Sequence, residues 1–373
     1  MQYREIAGEK VGCIGLGCEH LDRKPAERAI ETVGAALEYG VNLFDVFMPG
    51  CEVRENIAKA LGERRKDVMI QGHIGSTDVK QQYDISRDLP TVQKYFEEAL
   101  RIFGGYIDFG MMFFIDSEND YKNVFETGFA DYVQRLKKQG DIRHIGFSSH
   151  NPVTAVKAIQ TGLPEMLMFS VNPAFDMLPA AENIFDHFET DFGVGLFRGI
   201  DPKRAELYTL CAEKEIGITV MKVFGAGKLL SKEHTPFGKP LTSAQCLHYA
   251  LSRPAVQCVL PGCQTREEVE GVMRYFGSTD SERDYAETLA TMRNNFRGSC
   301  VYCGHCQPCP SGIDIAAAHK YLDIARLNPD NGTVKAHLQG VLGEPCIACG
   351  NCEERCPFGV PVIKNIAEAQ ALT

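Results

Sequence analysis

Short apolar runs alternate with longer amphipathic stretches over the first three-quarters of the chain. The runs occupy residues 11–17, 41–47, 68–74, 107–115, 142–148, 166–171, 217–224 and 256–260. Polar alternation within them is weak, which marks strands covered on both faces. Helical spacing recurs between them. In residues 26–39, Ile30, Val33, Ala36 and Leu37 fall on one face, and helix-like stretches at 89–103 and 153–160 follow the third and fifth runs. Eight strand-then-helix units predict an α/β fold of the (β/α)8, or TIM, barrel type. No Gly-x-Gly-x-x-Gly turn follows an early strand, which weighs against a doubly wound open sheet.

Past residue 280 the pattern changes. Residues 280–296 read as a polar helix leaving the barrel, and 300–373 carry no strand pattern. Residues 313–325 have helical spacing, and 328–331 read as a turn from their Pro, Asn and Asp. The expected division is a barrel over 1–280 and a small, mainly helical domain over 281–373.

Charge and composition narrow the partners. A formal net charge of −10 argues against a nucleic-acid binder, which would present a basic face. No run approaches the apolar length of a membrane helix. The N-terminal Met1-Gln2-Tyr3-Arg4-Glu5 lacks a basic-then-apolar leader, so a cytoplasmic location is expected.

The cysteines carry the strongest chemical signal. Of 15, eight lie in the last quarter in two groups. The first is Cys300-x-x-Cys303-x-x-Cys306-x-x-Cys309-Pro310, and the second is Cys346-x-x-Cys349-x-x-Cys352-x-x-x-Cys356-Pro357. Three thiolates at this spacing reach three corners of one iron–sulfur cube. In two-cluster ferredoxins the fourth, followed by Pro, serves the other cube. The expected ligands of one [4Fe-4S] cluster are thus Cys300, Cys303, Cys306 and Cys356. The other takes Cys346, Cys349, Cys352 and Cys309. Two zinc sites of four cysteines each would use the same number of thiols, but fit this spacing and the paired Cys-Pro endings poorly. Eight cysteines satisfy every iron of two clusters, so electron transfer is the natural role.

A family resemblance rests on Gly40-Val41-Asn42-Leu43-Phe44-Asp45, Gly105-Tyr106-Ile107-Asp108, Ile142-Arg143-His144-Ile145-Gly146-Phe147-Ser148, Met221-Lys222-Val223-Phe224-Gly225 and Leu260-Pro261-Gly262. Taken together they resemble the aldo/keto reductases, in the branch with a C-terminal ferredoxin-type domain. The resemblance implies a barrel mouth that holds NADPH and a carbonyl substrate, with an Asp, a Tyr, a Lys and a His as catalytic residues. Asp45 matches the Asp. Gly50 stands at the Tyr position, His73 at the Lys position and Phe113 at the His position. The family's nicotinamide-holding Ser-Asn pair reads Ser148-Ser149, and its Gln reads Met168. Gly271 and Val272 replace a Glu-Asn pair near the adenosine, and Glu268 falls where a basic residue would meet the 2′-phosphate. These departures argue against ordinary NADP(H) chemistry and leave a flavin or other organic cofactor open.

Strand ends supply the candidate site. Asp45, His73 and His150 are the candidate catalytic residues; a histidine serves as acid or base near neutral pH. Ser148, Asn172, Lys222 and Arg198 are the candidate cofactor-binding residues, Arg198 as a bidentate partner for an anion. The leading expectation is an iron–sulfur oxidoreductase. It would pass electrons through both clusters to or from a small molecule, with a soluble carrier such as ferredoxin or flavodoxin as partner. The alternatives are an atypical NAD(P)H-dependent carbonyl reductase, and a non-redox barrel lyase, isomerase or binding protein with structural clusters.

Overall fold

The computed structural model describes residues 1–78, 83–181, 199–290, 298–327 and 329–373. Strands β1 (Tyr3–Ile6) and β2 (Glu9–Gly12) pair antiparallel as an N-terminal hairpin. Eight parallel strands build the barrel: β3 (Leu16–Gly17), β4 (Leu43–Val46), β5 (Met69–Ile74), then, past a short ribbon of β6 (Ser76–Thr77) and β7 (Asp84–Ile85), β8 (Ile107–Met112), β9 (Ile142–Ser149), β10 (Met166–Ser170), β11 (Gly217–Met221) and β12 (Val256–Val259). Each pairs with the next barrel strand in the chain. The ring closes between β3 and β12, where Gly15 N donates to Val259 O at 2.9 Å and Gly17 N to Pro261 O at 3.0 Å. The barrel interior is packed by Leu43, Met69, Phe109, Met111, Met166 and Leu260, with Ile6 of the hairpin beneath them.

The boundaries differ from the sequence pattern for local reasons. The run 11–17 is two elements, because the backbone changes partner at Cys13: its N–H donates to Gln2 O while its carbonyl accepts from Val259 N. The run 107–115 leaves the regular ladder after Met112, just before Phe114 turns left-handed at φ 61°. The run 217–224 ends likewise before Lys222 at φ 58°. Where a single polar helix was expected over 280–296, the described residues 280–290 form two short helices, Asp280–Arg283 and Ala286–Leu289, broken where Asp284 is extended. Tyr285, Ala286 and Leu289 are fully buried, so this segment packs against the barrel. Residues 291–297 lie outside the described residues.

The C-terminal domain is helical, as expected. Its helices are Ile315–Leu327, Gly332–Val341, Asn351–Arg355 and Val362–Ala371. Only the first was visible in the periodicity. The turn expected over 328–331 is seen at Pro329 and Asp330, and Asn331 then caps the second helix by accepting from Val334 N. No helix among the described residues is long and apolar enough to cross a membrane.

The end of the barrel opposite the mouth carries a pH-sensitive cluster. Glu165 accepts from Lys137 Nζ at 2.6 Å and Ile145 N at 2.9 Å, and meets His144 Nδ1 at 3.2 Å. Burial alone would raise its carboxyl, but these bonds bring it from 4.5 down to about 2. A depressed carboxyl stabilises the fold above its unfolded value, and the effect is lost as pH falls through the folded value. Glu165→Gln is therefore expected to lower the urea midpoint at neutral pH. The gap to wild type should close between 4.5 and about 2. A gap that is constant with pH would show that the charge is irrelevant.

Candidate functional site

The carboxyl ends of the barrel strands open into a cavity of about 480 Å³. Chemistry gathers at this end of such barrels because the loops after each strand converge there. Its walls include Asp45, Phe47, His73, Tyr83, Phe113, Phe114, Ser148, His150 and Lys222.

Two carboxylate–imidazole pairs stand in this wall. In β5 the strand alternation puts Gln71 and His73 on the same, interior side. His73 Nε2 lies 2.8 Å from Asp45 Oδ1 of β4, which also accepts from Gln71 Nε2 at 2.7 Å. The Gln71 carbonyl accepts from Thr219 Oγ1, so the carboxylate is anchored across the barrel. Phe47 and Phe113 stack at 5.7 Å and both meet the His73 ring edge-on. They roof His73 so fully that its side chain has 0% exposure. Its Nδ1 has no partner.

The second pair follows β9. Asp116 accepts from His150 N at 2.6 Å and Ser149 Oγ at 3.0 Å, and lies 2.8 Å from His150 Nδ1. A carboxylate only accepts, so Nδ1 carries the proton and Nε2 is the ring's other working nitrogen. That Nε2 is buried and unpartnered. Burial works to raise Asp116, but the charge and bonds of His150 prevail and hold the carboxyl below its usual value. Phe114 lies against the His150 ring at 4.9 Å.

Lys222 completes the polar wall from a left-handed backbone position, a strained conformation for a side-chain-bearing residue. Burial lowers its ammonium pKa, opposed by the charges of Glu19 and Asp116. Asn172 was expected to touch a cofactor. The structure turns it to the backbone instead: it donates to Lys222 O at 2.9 Å and accepts from Ala174 N and Phe175 N. Asn172 thus holds the strained Lys222 in place from outside the cavity. Ser148 lines the cavity and accepts from Phe114 N. Arg198 lies outside the described residues.

Sequence reasoning missed Gln71 and Phe47 here, and also Tyr83 and Asp116. Tyr83, immediately before β7, reaches the cavity with its ring 5.3 Å from Phe47, and no motif marks it. Asp116 was findable: it is a carboxylate just past the end of a barrel strand, where mouth residues belong.

The C-terminal domain holds two separate cavities. One is lined by Cys300, Cys303, Cys306 and Cys356, the other by Cys346, Cys349, Cys352 and Cys309. The backbone repeats between the groups. Tyr302 and Ala348, each preceding a second cysteine, are left-handed at φ 57° and 51°, and Gly304 and Gly350, each following it, at 79° and 83°. Both Cys-Pro-x-Gly endings close on a left-handed glycine, Gly312 and Gly359. Among the described residues no three Cys, His, Asp or Glu are arranged as the ligands of a single metal ion. Without metal, burial pushes Cys303 and Cys306 up to about 12.

A parallel barrel with its acid–base groups at the carboxyl end, joined to a domain of two cysteine quartets, defines a barrel oxidoreductase with an iron–sulfur appendage. The chain belongs to the aldo/keto reductase family, whose sequence profile matches residues 13–245. A 4Fe-4S dicluster domain profile matches residues 299–361. Among solved structures the chain is similar to an aldo-keto reductase of Bacillus halodurans in its holo form, at 19% identity and TM-score 0.58, covering 78% of this chain and 96% of that one. It is also similar to a candidate aldo-keto reductase from Pseudomonas aeruginosa, at 16% identity and TM-score 0.54, covering 73% and 93%. At these identities the likeness shows the barrel fold. No curated protein matches the sequence.

Proposed function

We propose that the protein is an iron–sulfur oxidoreductase that passes electrons through two [4Fe-4S] clusters to or from a small molecule at the barrel mouth. The observation that carries this is the crossed pairing of the quartets, each completed by the Cys-Pro cysteine of the other group. The clusters, when bound, supply one-electron transfer.

The chain's own residues then handle protons and orientation. Reduction by hydride asks the protein for one proton; reduction one electron at a time asks for two. The mouth offers two imidazoles, His73 and His150, each held by its own carboxylate. Lys222 offers a cation to an anionic oxygen. The Phe47, Phe113 and Phe114 rings exclude water from the imidazoles. Glu19 and Glu268 line the same cavity and oppose a dinucleotide's phosphates. In the second group Cys349 is exposed and Ile347 is 67% exposed, so that group is where a soluble carrier such as ferredoxin or flavodoxin meets the protein.

Protein purified without oxygen is expected to hold about eight irons with matching sulfide and a broad absorption in the blue. NADPH is expected to show no micromolar binding by calorimetry, since each missing polar partner costs about 1–3 kcal/mol. Zinc without sulfide would defeat the reading. Tight NADPH binding with carbonyl turnover while the clusters stay oxidised would replace it with the atypical reductase.

A further inference from the structure

Arg253 is a buried cation that no carboxylate among the described residues meets in an ion pair; the nearest influence is the buried Asp176, reached through Tyr249. It follows the barrel helix Ser243–Leu251 and is 1% exposed. A guanidinium stays protonated in any protein environment. Its Nε donates to Tyr249 O at 3.2 Å, and its Nη2 donates to Ser252 Oγ, to Tyr285 Oη and to the carbonyl of Val301. Tyr249 and Tyr302 cover it, with ring centres 4.3 and 4.5 Å away. Its Nη1 has no partner. None of the carboxylates among the described residues forms an ion pair with it; Asp176, bonded to the Tyr249 hydroxyl, is paired with Arg204. A buried charge is costly unless something compensates it.

The missing anion lies on the other side of Val301. That residue sits between Cys300 and Cys303 and lines the cavity of the first quartet. Four thiolates outweigh the positive charge of an iron–sulfur core, so the loaded site is anionic, and more so once reduced. Among the described residues neither cavity is lined by a lysine or arginine; the first is lined by His305, which pairs with Asp284, and by His319, and has Arg253 directly behind its Val301 carbonyl. Arg355, half-buried, donates to Cys306 O and Pro308 O between the two cavities and so favours neither.

We propose that Arg253 is the built-in counter-charge of the first quartet, making its cluster the easier of the two to reduce, so that electrons settle beside the barrel. This rests on the quartets holding clusters, as proposed above. A fixed positive charge stabilises the more negative, reduced state and raises the potential. Tyr285, which also donates to Val301 O at 2.8 Å, helps to fix the loop against the barrel. Arg253 is thus a positioning residue for electron transfer that the barrel contributes to the cluster domain.

The test is a redox titration of the holoprotein followed by electron paramagnetic resonance, with iron and sulfide counted first. In Arg253→Gln the higher of the two midpoint potentials is expected to fall and the lower to stay. In Arg253→Lys, which keeps the charge, the higher midpoint should fall less. Unchanged midpoints in Arg253→Gln at full iron content would overturn the proposal. If that variant loads incompletely, Arg253→Lys decides: full loading with a near-native higher midpoint supports the charge role, and a loss equal to that of the Gln variant refutes it. Wild-type protein without iron and sulfide would instead refute the cluster reading itself.

Discussion

Cys309→Ser and Cys356→Ser are each expected to cut the iron content from about eight to about four. The informative result comes from combining them with changes in each group. In the crossed arrangement Cys309 lines the same cavity as Cys346, Cys349 and Cys352. The double variant Cys309→Ser, Cys346→Ser should therefore lose no more iron than either single variant. The double variant Cys309→Ser, Cys300→Ser should lose nearly all of it, because it strikes one ligand of each cluster. An uncrossed arrangement predicts the reverse. If the Cys309, Cys300 pair retained half the iron, the quartets seen in the two cavities would not be the ligand sets. The effect is large because a cube deprived of one thiolate keeps an open iron corner that solvent and oxygen reach.

The second large effect is expected at Asp116. Its carboxylate fixes the tautomer of His150, leaving Nε2 for a bound molecule. Asp116→Asn keeps an accepting oxygen for His150 N and Ser149 Oγ but turns an amide donor toward Nδ1, so that the ring's proton moves to Nε2. Turnover of the mouth's substrate is expected to fall by about 10²-fold, the scale of one positioned acid–base group. His150→Ala should fall at least as far. A merely structural Asp116 would give a different signature. Nitrogen-15 NMR of labelled histidine should show Nδ1–H at His150 in the wild type and Nε2–H in Asp116→Asn. Full activity in both variants, with the Nδ1–H signal unmoved, would remove the pair from the mechanism.

Much of this architecture could be read from the chain. The eight apolar runs all contain barrel strands, because burial on both faces leaves a signal that needs no partner to interpret. The cysteine groups were legible because their spacing is local. What escaped depends on partners distant in sequence. Nothing in residues 11–17 says that the backbone trades Gln2 for Val259 at Cys13. Tyr83 joins the cavity only because β7, which it precedes, pairs with β6 beside the mouth. Asn172 looked like a ligand because it ends a strand, yet its amide is engaged by three backbone groups. Arg253 carries no motif at all: its meaning comes from Val301, which lies 48 residues on in the chain.

The roof over His73 has a kinetic consequence. Phe47 and Phe113 cover the His73 ring and leave the pair only the narrow approach along the cavity wall that Asp45 lines. Exchange of a proton with bulk water would then be gated by motion of the two rings, on a timescale set by the fold rather than by proton transfer. In the proposed reaction, a proton that His73 passed to a bound molecule would be replaced only when the rings part. The pair would then serve as a single-shot store, recharged once per opening, while His150, whose side chain keeps 5% exposure, would be reached sooner. Such asymmetry would order the two proton deliveries in time.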